Sequence, residues 1–269
     1  MSASSSYAAY YCAAYERFIG RWSRRVADRI AEEVPVARDG PLLDIGCGTG
    51  SMAAALAARE PGRRIVGIDV AEPYLAFARA RSDLREAEFL RQDALALDLP
   101  EGGFAAAYAL IALNFMSDPA RAAREMRRVV RPGGRVVAAA WDFRGGLVYQ
   151  RLLWDTAAGI DPAAAATRDR IFAHPLALPG GMTALLEEAG LGEVARASVT
   201  VRMDFKDFDD YWQPLLGGQG PVGGYVAGLE PRLRERIAAA VRAAFLSGDR
   251  DGPRSLTATA WVVTGIVPA

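Results

Sequence analysis

The chain has 269 residues, 51% of them apolar, and its 32 basic and 32 acidic side chains cancel. That size and apolar share support one large core, while zero net charge excludes an overall field that would draw nucleic acid or an anionic membrane surface. Two cysteines, Cys12 and Cys47, exclude a disulfide framework and a zinc cluster, so no metal is expected.

The opening segment MSASSSYAAYYCAAYERF lacks a basic start leading into an apolar run, and no window approaches the ~20 apolar residues of a membrane helix. A cytoplasmic protein with a small-molecule partner is therefore expected, with neither a membrane nor a nucleic acid as partner. Tyr7, Tyr11, Tyr15, Phe18 and Trp22 recur at steps of three and four, which places them on one face of a helix within an N-terminal helical cover, residues 1–34. The face serves either as a packing stripe or as a wall of a ligand site. Arg21 and Trp22 are candidates there, because a guanidinium can pair with a carboxylate through two parallel hydrogen bonds.

From 41 to 140, short apolar runs alternate with helical patterns, the signature of βαβ units and a parallel sheet. Strands are predicted at 41–45, 64–68, 87–91, 104–109 and 135–140. Asp118-Pro119 marks the start of a helix that Pro132-Gly133-Gly134 ends. Two long segments, 143–180 and 204–255, then flank a sixth strand at 195–203 and precede a seventh at 256–267. If the strands through the sixth are parallel, both segments rise from the carboxyl edge, where open α/β sheets bind ligands. They are predicted as lid or substrate insertions; helices packed on a flank are the alternative.

The stretch LLDIGCGTG, residues 42–50, carries the chemistry. Glycines at a strand-to-helix turn let backbone N–H groups approach a ligand. Here Gly46, Gly48 and Gly50 are followed by Ser51 where the dinucleotide pattern would place its last glycine, and no lysine follows as a phosphate-binding loop requires. Asp44, two residues before the first glycine, would repel a pyrophosphate and suits a cation. Asp69 ends the second strand, and its carboxylate can accept both hydroxyls of a ribose. Asp93 ends the third.

Asp44-x-Gly46-x-Gly48-x-Gly50, with Asp69 and Asp93 after successive strands, resembles the class I S-adenosylmethionine-dependent methyltransferases, small-molecule type, near the ubiquinone and menaquinone C-methylases. The resemblance extends over about 40–142, through Asn114 to Pro119 and Val130 to Arg135. It implies an α/β, Rossmann-like seven-stranded sheet, mostly parallel with an antiparallel last strand, bearing helical lid insertions, in a single methyltransferase domain with its cofactor-binding core at 41–142. It implies S-adenosylmethionine as cofactor. Asp44, Gly46, Cys47, Gly48 and Gly50 would lie along its methionine part, Asp69 and Val70 at its ribose, and Gln92, Asp93 and Ala94 at its adenine. Ala109 and Leu110 would border the reactive methyl, and Arg21 and Trp22 would meet the carboxylate.

Methyl transfer from a sulfonium is an in-line displacement that depends chiefly on approximation, so a base is needed only where the acceptor must lose a proton. His174, the only histidine, has a suitable ordinary pKa; Tyr11, Tyr15 and Asp142 are the other candidates. Oxygen, carbon and nitrogen acceptors, apolar or aromatic, all remain open. The rival readings are a nicotinamide-dependent oxidoreductase, which shares the fold and an acid like Asp69, and a non-catalytic S-adenosylmethionine-binding protein.

Overall fold

The computed structural model describes residues 12–35, 39–178 and 180–269. These form a seven-stranded sheet of β1 (Leu42–Ile45), β2 (Ile65–Asp69), β3 (Glu88–Arg91), β4 (Phe104–Leu110), β5 (Val130–Trp141), β6 (Gly192–Phe205) and β7 (Arg254–Ile266). Their order across the sheet is β3-β2-β1-β4-β5-β7-β6. β1 to β5 pair in parallel, and β7 runs antiparallel to both β5 and β6. β6 therefore points the same way as β5, and both insertions leave the same edge.

The central strands are apolar on both faces because helices cover both. On one face, the helix Arg21–Glu33 buries Trp22, Val26, Ala27 and Ile30, and the helix Ser51–Arg59 adds Met52 and Leu56. On the other, the helix Pro119–Val129 lays Ala122, Met126 and Val129 against Val136 and Ala138. Each fully buried large aliphatic side chain stabilises the fold by about 2 kcal/mol before entropy is charged against it. The start of the Pro119–Val129 helix follows its sequence signal: the Asp118 carboxylate accepts from the Arg121 N–H at 2.9 Å, and Pro119 takes the first turn.

Two boundaries differ from expectation. β5 begins at Val130 rather than 135, because Val130 already pairs with Phe104 before a bulge resets the register to Arg135 opposite Ala106. Gly134 lies inside that bulge, where a Cβ would come within 2.7 Å of the Ala105 carbonyl oxygen. Pro132-Gly133-Gly134 is thus a kink within a strand. β6 extends from Gly192 to Phe205 because β7 continues to supply partners through Arg254, which trims the second insertion to 206–253.

The insertions lock onto each other. In the first, the helices Val148–Ala158 and Pro162–Phe172 follow β5; in the second, Phe208–Trp212, Gly220–Ala227 and Pro231–Leu246 follow β6. Tyr211 donates to the Tyr149 carbonyl at 2.7 Å and Tyr225 to the Asp161 carboxylate at 2.7 Å. Phe205, Phe208, Tyr211 and Phe245 pack ring against ring beneath them. Trp212 stacks on Phe208 within this cluster. Arg21 ties the N-terminal helix to the second insertion through Asp210, at 2.9 and 3.1 Å. No helix among the described residues is long and apolar enough to cross a membrane.

Candidate active site

A cavity of about 500 Å³ opens at the carboxyl ends of β1 to β5, between the sheet, the N-terminal helix and the insertions. Gly46, Gly48 and Gly50 all adopt positive φ, at 64°, 54° and 82°, a conformation that costs other residues about 1–2 kcal/mol. Their surroundings differ. A Cβ on Gly46 would meet the Ala112 Cβ at 2.7 Å and one on Gly50 the Leu84 side chain at 2.7 Å, whereas one on Gly48 would meet nothing within 4 Å. Gly46 and Gly50 serve the packing of the loop. Gly48 lines the cavity, and its bare surface faces open space.

Three carboxylates stand within two residues of the carboxyl ends of three adjacent strands along this edge. Asp44, only 1% exposed, accepts from the Ala53 N–H at 3.0 Å through Oδ2, while Oδ1 has no partner. Burial and, more weakly, the nearby Asp69 charge push its pKa up to about 7, against the opposing effect of the Ala53 N–H. Asp69 accepts from Gly48 N–H at 3.0 Å and Ala71 N–H at 2.8 Å; burial raises its pKa, and these N–H groups restrain the rise. Asp93 accepts from the Leu95 N–H at 2.9 Å through one oxygen.

Further buried polar atoms on the lining lack a partner: Ser51 Oγ, Tyr74 OH, Asn114 Oδ1 and Trp141 Nε1. A buried unmatched polar group costs about 1–3 kcal/mol, so those on the lining favour a polar ligand there. An acidic edge, an orphan carboxylate oxygen and a glycine with open space before it fit a ligand carrying an ammonium group and a ribose. They do not fit a pyrophosphate.

Comparisons with known proteins agree. Residues 43–138 match the family model described as a methyltransferase domain. The chain is 41% identical to a demethylmenaquinone methyltransferase of Thermus thermophilus over 44% of this chain and 52% of that protein. It is 34% identical to a 2-phytyl-1,4-naphthoquinone methyltransferase of Thermosynechococcus vestitus over 64% of this chain and 80% of that protein. The chain belongs to the class I S-adenosylmethionine-dependent methyltransferases. Its relatives include quinone C-methylases, although it spans only about half the length of the first of those just named. The fold also matches a phosphoethanolamine N-methyltransferase of Haemonchus contortus solved with S-adenosyl-L-methionine, with a TM-score of 0.56, 16% identity, and coverage of 96% of this chain and 57% of that one. As in the rest of this methyltransferase family, S-adenosylmethionine is the cofactor, and Asp44, Gly48 and Asp69 are the residues whose surroundings fit it here.

The structure brings together on the lining Asp44, Gly46, Cys47, Gly48, Asp69, Val70, Gln92, Asp93, Ala94 and Leu110. Gly50 and Ala109 are not on it: Gly50 packs under Leu84, and Ala109 lies in the core on the opposite face of the sheet. Arg21 and Trp22 are not on the lining either. The Arg21 guanidinium is held by the Asp210 carboxylate and carbonyl, and Trp22 packs on Phe205 with ring centroids 5.5 Å apart. The physical reason is a π-helical turn at Glu16–Gly20, which adds a residue to the turn and shifts the phase of the helix after it. Tyr15 and Phe18 face the cavity, and Trp22 does not. Tyr7 and Tyr11 lie outside the described residues.

Among the proton-transfer candidates, Asp142 is a turn residue whose Oδ1 accepts from the Arg144 and Gly145 N–H groups at 3.1 Å each, away from the lining. Tyr15 is on the lining, but burial pushes its pKa up to about 12, so it is a phenol at neutral pH and a hydrogen-bond donor. His174 is also on the lining, with its Nδ1 accepting from the Leu176 N–H at 3.2 Å. Sequence reasoning missed Tyr74, Ser51, Trp141 and Arg170 as lining residues. Ser51 directly follows the glycines and Trp141 ends β5, signals that pointed to the site; Tyr74 and Arg170 carry none.

Proposed function

We propose that the protein transfers a methyl group from S-adenosylmethionine to a small hydroxylated aromatic acceptor of the quinol type. The observation that carries this reading is the row of three carboxylates, Asp44, Asp69 and Asp93, at the carboxyl ends of β1, β2 and β3 around the open face of Gly48. The unpartnered Asp44 oxygen would accept from the cofactor's ammonium, Asp69 from its ribose hydroxyls, and Asp93 from its adenine amino group. Bound there, S-adenosylmethionine supplies an activated methyl on a sulfonium.

The rest of the lining supports an aromatic acceptor. Phe115, Met116, Trp141, Phe143, Ile171 and Val222 give an apolar enclosure, and the unpartnered Asn114 amide oxygen and Trp141 Nε1–H can accept from and donate to a hydroxyl. Holding the nucleophile in line with the methyl accounts for most of the rate such a site needs. His174 is not favoured as a base, because its Nδ1 lone pair is already used. The N-terminal helix and the segments 143–180 and 206–253 act as cover and acceptor pocket in this reading. A cytoplasmic setting accords with the two free cysteines.

Calorimetric titration with S-adenosylmethionine and S-adenosylhomocysteine tests the cofactor half. Both should bind at a single site, and binding of neither would end the proposal. Turnover with methyl-labelled cofactor on a panel of naphthoquinols and substituted phenols tests the acceptor half.

A further inference from the structure

Acid and base are segregated in the cavity. Asp44, Asp69 and Asp93 stand along the ends of β1 to β3. Arg170, the only Lys or Arg on the described lining, comes from the helix Pro162–Phe172 in the first insertion. On the same helix, Arg168 is neutralised by Asp155 at 3.2 Å and Asp169 at 3.0 Å. Arg170 has no carboxylate partner among the described residues; its Nη2 donates to the Thr167 hydroxyl at 3.2 Å.

Thr167 and His174 also line the cavity, three residues before and four residues after Arg170 in the chain. The His174 Nδ1 accepts from the Leu176 N–H, so the proton of the neutral imidazole sits on Nε2, and the nitrogen left free is a donor. This segment thus offers the lining a guanidinium, a hydroxyl and an imidazole N–H, and no carboxylate. A cation in the last turn of a helix is stabilised by the terminal carbonyls, which accounts for an arginine at position 170 but not for one facing the cavity. Arg170 is exposed, so water hydrates that charge while the cavity is empty; a carboxylate on the acceptor would pair with it and a neutral quinol would not.

We infer that the acceptor carries a carboxylate, seated on Arg170 with Thr167 and His174, its apolar body running inward past Phe143 and Ile171 toward Trp141. The inference rests on the methyltransferase reading above, in which the cofactor occupies the glycine-loop half of the cavity. The helix bearing Arg170 packs on Val148–Ala158 within the first insertion, whereas the glycine loop follows β1. Planar guanidinium and carboxylate match through two parallel charge-assisted hydrogen bonds, about twice as strong as neutral ones.

The test titrates 1- and 2-naphthoic acids, 3-phenylpropionic acid and 4-phenylbutyric acid, each beside its primary amide, into protein saturated with S-adenosylhomocysteine. Ligand-observed NMR gives the affinities. At least one acid should bind about tenfold or more tighter than its amide, Arg170→Gln should abolish the preference, and Arg170→Lys should keep part of it. Equal binding of acids and amides, binding of no acid, or a preference that survives Arg170→Gln would overturn the inference. So would a drop in S-adenosylhomocysteine affinity of Arg170→Gln beyond about threefold, since the guanidinium would then serve the cofactor's own carboxylate. Failure of the unaltered protein to bind S-adenosylhomocysteine would instead overturn the methyltransferase reading, which separates the two failures. Arg170 is exposed, so the variants should unfold at the temperature of the unaltered protein.

Discussion

Replacing Asp44 by Asn tests the electrostatics of the site through folding as well as binding. The carboxylate is buried, has one hydrogen bond, and rises from an ordinary 3.8 to about 7. Three units at about 1.4 kcal/mol each set a ceiling of about 4 kcal/mol on the stability linked to its protonation. Because the folded pKa is the higher one, that stability is complete below the unfolded value near 4. It is lost as the pH rises to about 7 and is flat beyond. Asn does not titrate, so urea unfolding of the ligand-free proteins from pH 4 to 9 should show the difference between unaltered protein and Asp44→Asn falling by about 1.4 kcal/mol per unit up to about pH 7, then levelling. Binding should carry the opposite sign. An ammonium requires the ionised carboxylate, so S-adenosylhomocysteine affinity should rise with pH to about 7, with a proton released that calorimetry in buffers of different ionisation enthalpy detects. Asp44→Asn should flatten that rise and weaken binding about ten- to a hundredfold at pH 8. A stability difference independent of pH would refute the argument that burial holds this carboxyl protonated.

Gly48→Ala should lower stability by only about 1–2 kcal/mol, the cost of positive φ, yet weaken S-adenosylhomocysteine binding at least tenfold by filling the open face. Gly46→Ala should destabilise more, since its Cβ would strike Ala112 at 2.7 Å; paired thermal melts and titrations compare the two. Asp69→Ala removes the acceptor for two backbone N–H groups and should cost about 1–3 kcal/mol in urea unfolding together with at least tenfold in cofactor affinity. Unchanged affinity would contradict the ribose role. Arg21→Ala should lower stability by about 1 kcal/mol through the lost Asp210 pair while leaving S-adenosylhomocysteine affinity within about threefold. A large affinity loss in calorimetry would restore a direct cofactor contact for Arg21.

The core of the fold and the cofactor edge were legible because local rules govern them. Alternating apolar runs and helical patterns gave all seven strands in order. Asp44, Gly46, Gly48 and Gly50, with Asp69 and Asp93 at later strand ends, carried the resemblance to a methyltransferase family that implied the cofactor, and strand ends in a parallel sheet meet at one edge. Asp118 and Pro119 marked their helix by capping chemistry confined to four residues. What lay beyond reach depended on contacts between distant segments or on backbone phase. A π-helical turn rotated Trp22 away from the cavity, and Asp210, 189 residues further on, claimed Arg21. β4 decided where β5 begins, and β7 where β6 ends, by supplying their partners. Tyr74 and Arg170 reached the cavity only because helices, sheet and insertions close over one edge. The sequence by itself carried the resemblance that implied the methyl donor, through a motif whose geometry is local; the enclosure proposed for the acceptor was decided by the tertiary structure, because insertions from two strands have no shared period or spacing to reveal that they face each other.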